Sequence, residues 1–241
     1  MQTIDNARSE SLKKRITSAL VGLPLILLAV WSGPPWIVIV VIIIALFATG
    51  ELAKLISSTG IPQSRNLNIC LSVSLVISAG FGGLKLSLIC LLVETVFILI
   101  CVLANPILKR IVYGYNLSVK SWLYSLFSTI YTGVPLTSAI LLRLEYDGYE
   151  LIIFALLCTF ATDTCSFAVG RAWGRTKMAP KVSPGKTWEG AIGGLIGGGV
   201  VASILVAILD IEISIGFAVP IGLLIAIFAQ IGDLGESKLK R

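Results

Sequence analysis

The chain has 241 residues, a mean hydropathy of +0.94 and only 13% charged residues, against about 25% for an average soluble domain. That composition excludes a water-soluble globular fold and makes the bilayer the solvent for most of the chain. With no histidine and five dispersed cysteines (Cys70, Cys90, Cys101, Cys158, Cys165), a zinc centre is excluded; the net charge of +6 is scattered over separate loops, which excludes a nucleic-acid groove.

Each crossing takes roughly 20 apolar residues, so the length accommodates about eight helices. A polar tail, residues 1–15, comes first. Apolar windows then fall at 16–31, 35–56, 66–81, 84–104, 121–142, 150–170, 188–209 and 213–232. The first follows Lys13, Lys14 and Arg15 but precedes no A-x-A cleavage site, so it reads as an uncleaved membrane helix. The break between the third and fourth rests on Gly82, Gly83 and Lys85. Glu94 lies near the middle of the fourth, either lining a cavity between helices or held there neutral by hydrogen bonds. With a cytoplasmic N-terminus, only Lys85 and Arg143 of the 19 basic residues fall in outer loops, which carry Glu145, Asp147, Glu150, Asp210 and Glu212 instead. The positive-inside rule therefore orients the chain. The reading is an all-α polytopic membrane protein, with residues 16–149 as a helical scaffold and 150–241 as a region of different character.

That difference is chemical. Between the sixth and seventh spans, residues 163–190 form a polar island with Arg171, Arg175, Lys177, Lys181 and Lys186. Ionisable groups beside lipid are costly and usually serve substrates, ions or protons. On the sixth span Thr159, Asp163, Ser166 and Gly170 share one helical face. On the eighth Gln230, Asp233, Ser237 and Lys240 repeat the pattern, with Glu236 beside them. Gly190, Gly194 and Gly198 form a stripe on the seventh that lets neighbouring helices approach closely. No internal repeat is present to suggest an inverted-repeat transporter.

The segment 183–190, Ser-Pro-Gly-Lys-Thr-Trp-Glu-Gly, reads as a helix start, with Ser183 or Thr187 as cap and Pro184 in the first turn. Free N–H groups there suit an anion, and the five cations of the island suit a phosphate-rich ligand. Gly185-Lys186-Thr187 is not a Walker A ending, because the required earlier glycine is Pro180. Asp163 and Asp233 are candidate Mg²⁺ ligands, with substrate phosphates completing the shell. Either aspartate serves equally well as a proton relay or a partner for Arg171, and spacing does not choose.

Three ordered motifs carry a resemblance. They are D-T-x(5)-G-R-x-x-G at 163–174, A-P-K-x-S-P-x-K-T-W-E-G at 179–190 and G-D-L-x-E-S-x-x-K-R at 232–241. Together with K-R-I-x-S-A-L-x-G-L-P at 14–24, they resemble the phosphatidate cytidylyltransferase (CDP-diacylglycerol synthase) family over nearly the whole chain. The resemblance implies a multi-pass, dimeric membrane enzyme, in a bacterial-type inner membrane, that uses CTP and phosphatidic acid. It would release pyrophosphate and form CDP-diacylglycerol for phospholipid biosynthesis. It further implies Asp233 as metal ligand, with Glu236 and Ser237 in the same polar pocket. Asp163, Ser183, Lys186, Thr187, Glu189 and Lys240 are also implied as site residues; Lys186 and Arg171 are read as phosphate contacts on physical grounds. The family's last motif continues into Lys-Asp, His-Gly-Gly and Asp-Arg-x-Asp, whereas this sequence stops at Arg241. The 241-residue chain is therefore expected to have little or no cytidylyltransferase activity. Other functional classes compatible with the same charges are an anionic-solute transporter and a non-catalytic remnant; a CTP-dependent polyprenol kinase is disfavoured by the 183–190 segment.

Overall fold

The computed structural model describes residues 22, 24–104, 119–209 and 211–239. The chain divides into two compact units, Met1–Leu144 and Glu145–Arg241. Among the described residues six helices are long and apolar enough to cross a bilayer, and the fold is that of an all-α polytopic membrane protein.

In the first unit, α1 spans Pro34–Ser58 and opens on two prolines, whose fixed φ and missing N–H suit a first turn. The next helix, α2, spans Arg65–Leu103, 39 residues. Straight, it would run about 58 Å, nearly twice the ~30 Å hydrocarbon core. It is not straight. Gly83 has φ 59° and ψ −151°, a conformation that essentially only glycine adopts. Ser74, well before that point, donates from Oγ to Glu94 Oε1, well after it, over 2.6 Å. Leu71 and Ile98 share a cluster with Trp122, and Leu67 and Cys101 pack against it. The two limbs therefore fold back against each other about Gly83, where the sequence placed the break between the third and fourth spans. Against the eight spans expected, the described residues hold six membrane-length helices, one of them doubled in this way; of the expected first span, 16–31, residues 24–31 are helical and 16–21 lie outside the described residues.

The third membrane element combines α3 (Val119–Ser128), a π-helical turn (Thr129–Gly133) and α4 (Val134–Leu144). Pro135, just beyond the turn, lacks an N–H and crowds the preceding carbonyls, which explains the widened register there. A buried polar seam runs beside it. Thr132 Oγ1 lies 2.8 Å from Thr49 Oγ1 and 3.3 Å from Ser72 Oγ. Gln63 Oε1 accepts from Asn68 and Ser125. Such inter-helix bonds join segments that lipid gives no hydrophobic reason to associate.

In the second unit, α5 spans Gly148–Trp173, α6 Trp188–Ile208 and α7 Ile215–Leu239. Between α5 and α6 the polar island forms an antiparallel hairpin, β1 (Lys177–Ala179) with β2 (Ser183–Thr187). This corrects the expected helix start: Ser183 and Pro184 lie in a strand, and the cap of α6 is Thr187, whose Oγ1 accepts from Gly190 N over 3.2 Å. The glycine stripe brings α6 against α5. A Cβ on Gly190 would sit 2.7 Å from Ser166 O, and one on Gly198 2.7 Å from Thr162 Oγ1. The opposite stripe of α6, Ile192, Ile196, Val200, Ile204 and Ile208, is exposed, a lipid-facing row. Trp173 and Trp188, exposed at the hairpin end of their helices, have the placement of an interfacial aromatic belt.

Candidate active site

A cavity of about 530 Å³ opens in the second unit, with walls from α5, the hairpin, the start of α6 and α7. Part of each side-chain face inferred from helical spacing reaches it: Asp163, Ser166 and Gly170 on one, Gln230 and Asp233 on the other, but neither Thr159 nor Ser237. Asp163 and Arg171 reach it from α5, and Ser183, Lys186 and Thr187 from β2. Asp233 reaches it from α7. Lys186 Nζ lies 2.7 Å from Asp233 Oδ2 and 3.5 Å from Gln230 O. Lys186 is partly buried at 23% exposure and Asp233 open at 57%. The aspartate thus has a cation at hand while its carboxylate stays accessible.

Arg171 lies beside an apolar ring. Its guanidinium carbon is 6.0 Å from the centre of the Phe167 ring, a cation–π distance. Phe167, Met178 and Ala191 line the cavity beside the charged groups, so one space presents both phosphate-binding cations and hydrocarbon. None of these apolar residues was singled out from sequence, because one more Phe or Met in a chain that is 56% hydrophobic gives no contrast. Gln230, which the helical face did indicate, fixes its side chain by donating to Ala191 O over 3.1 Å.

Other expected residues lie elsewhere. Glu189 is not among the cavity-lining residues; both its carboxylate oxygens accept from Thr176 N, at 3.0 and 3.2 Å. Glu236 and Ser237 follow Asp233 on α7 but do not line the cavity. Lys240 lies outside the described residues. The helix start is also less free for an anion than expected. Trp188 N is bonded to Thr176 O at 3.0 Å and Gly190 N to Thr187 Oγ1. Two of the unpaired N–H groups typical of a helix N-terminus are thus satisfied, and anion contacts fall to Lys186 and Arg171.

The donor chemistry suits a hard divalent cation. Asp163 and Asp233 supply carboxylate oxygens to one cavity, and Ser166 Oγ, in its wall, is buried without a hydrogen-bond partner among the described residues. Among the described residues no third Asp, Glu, Cys or His joins them. Two carboxylates in one cavity are compatible with Mg²⁺, which is held by one or two carboxylates plus substrate phosphates and water.

The sequence profile of the Cytidylyltransferase family matches residues 13–241. A phosphatidate cytidylyltransferase of Staphylococcus haemolyticus is 31% identical over 235 residues, 95% of this chain and 85% of that protein. One of Haemophilus influenzae is 38% identical over 148 residues, 54% of this chain and 51% of that protein. One of Brucella suis is 42% identical over 113 residues, 46% of this chain and 41% of that protein. The likeness is thus both broad and locally strong. With the membrane-length helices and a match over almost the whole sequence, the chain is an integral multi-pass membrane protein of the cytidylyltransferase family.

Proposed function

We propose that the protein transfers the cytidylyl group of CTP to phosphatidic acid, giving CDP-diacylglycerol and pyrophosphate. The observation that carries this reading is the mixed cavity: two cations, two carboxylates and apolar side chains in one space of a membrane unit. A lipid phosphate and a nucleotide triphosphate are both anionic, but only one arrives with hydrocarbon attached. A phosphate oxygen of phosphatidic acid attacks the α-phosphorus of CTP. The bond from that phosphorus to the bridging oxygen breaks, and pyrophosphate leaves with the electron pair.

The chain's own groups position and neutralise. Lys186 is placed to meet the triphosphate as charge gathers on the leaving pyrophosphate. Arg171 offers a planar fork for the lipid phosphate, next to Phe167 for the first part of the attached chain. Asp163 and Asp233 would hold Mg²⁺, which supplies charge neutralisation at the phosphates when bound. Before ligand binds, the contact with Lys186 balances the charge of Asp233.

The test is direct. Protein carrying the family's Lys-Asp, His-Gly-Gly and Asp-Arg-x-Asp continuation after Arg241, in proteoliposomes with CTP, Mg²⁺ and phosphatidic acid, forms CDP-diacylglycerol and pyrophosphate in equal amounts. Absence of both products with each substrate saturating overturns the proposal.

A further inference from the structure

Glu189 belongs to one of the three motifs that carry the family resemblance, which suggests a place in the chemistry. Its geometry indicates another task. The carboxylate bonds the backbone N–H of Thr176, the residue before β1, through both oxygens. In return Thr176 O accepts from Trp188 N over 3.0 Å, and the next rung pairs Lys177 with Thr187. These bonds close the base of the hairpin onto the first turn of α6.

The hairpin needs that closure. Its strands have three and five residues, and the register already shifts between Lys177 and Ala179. A two-stranded ribbon of this size is marginal alone. Lys186 sits on β2 immediately before the closing rung, so the position of its Nζ over the cavity depends on the register. A slip by one residue would turn Lys186 to the opposite face and away from Asp233.

We propose that Glu189 is a positioning residue: its carboxylate holds the hairpin in register by accepting the Thr176 N–H, and its negative charge takes no part in the reaction. What the fold requires is an acceptor oxygen at glutamate reach. Glutamine keeps that oxygen without the charge. Aspartate keeps the charge one methylene too short.

The activity arm of the test rests on the cytidylyltransferase reading; the structural arm does not. Amide hydrogen exchange at Thr176 and Trp188 is measured in nanodiscs, beside steady-state kinetics, on the protein carrying the family's continuation after Arg241. In Glu189→Ala and Glu189→Asp, exchange at both amides rises about tenfold, and in Glu189→Gln it stays within about twofold. Cytidylyl transfer follows the same order, with Gln above Asp, and the loss falls mainly on KM for CTP. Asp at or above Gln in activity overturns the proposal, because charge then matters more than reach. Unchanged exchange in Glu189→Ala also overturns it. No product from the unaltered protein counts against the cytidylyltransferase reading alone and leaves the exchange result standing.

Discussion

Lys186 is the side chain on which the site's electrostatics turn. It contacts Asp233 at 2.7 Å in a cavity that also holds Asp163 and Arg171. Truncating it to Met removes the ammonium and keeps most of the aliphatic stem. That variant is expected to lose a factor of about 10²–10³ in kcat/KM for CTP, the scale of one charge-stabilising donor, as measured by pyrophosphate release. Lys186→Arg is expected to recover only part of it, since a planar fork does not replace a compact ammonium packed between β2 and α7. Asp163 and Asp233 stood out in the sequence as charge on helical faces of an apolar chain, and Lys186 as one cation of the polar island, without a face assigned to it. The direction of Glu189 was not legible. It depends on which backbone N–H the hairpin brings near, and spacing says nothing of that. Phe167 and Met178 were invisible for the opposite reason, being apolar among apolar neighbours.

At the level of elements, the hairpin and the bend at Gly83 depart most from a plain row of helices. The hairpin was read as a helix start because Ser, Pro and Thr are common to caps and to turns; only pairing across the loop separates the two. Gly83 was legible as a break, since glycines and one lysine interrupt a long apolar run, although the antiparallel return of the second limb needed the contact between Ser74 and Glu94 to establish it. Gly83→Ala forces a Cβ into a backbone region L-residues avoid. It is expected to cost roughly 1–3 kcal/mol, read as a lowered thermal midpoint of the detergent-solubilised protein. Gly82→Ala tests the same bend by crowding: a Cβ there would meet the Cβ of Leu86, an atom that no side-chain rotation moves, so the backbone of the bend must shift and a lowered thermal midpoint is expected here as well.

For the molecule as a whole, charge sets orientation. The loop holding Tyr146 precedes α5 and the hairpin follows it, so one membrane span separates them. By the positive-inside rule, the distribution of Lys and Arg predicts the hairpin on the cytoplasmic side. In a cysteine-free background, a membrane-impermeant maleimide added to intact cells is expected to label Tyr146→Cys, which is 97% exposed. It should label Lys181→Cys only after permeabilisation. The reverse pattern would invert the topology and move the cavity away from cytosolic nucleotide.

The reversal at Gly83 also bears on how the chain enters its membrane. Two limbs joined by so short a bend leave almost nothing to carry across: Gly82, Gly83, Leu84 and Lys85. The one charge in that turn is a single ammonium, a transfer of about 3 kcal/mol at the bilayer centre. Two limbs of membrane length outweigh that cost in apolar burial. The pair can therefore insert as one preformed wedge, tip first, and biogenesis of this part of the chain requires no translocated domain to be pulled through.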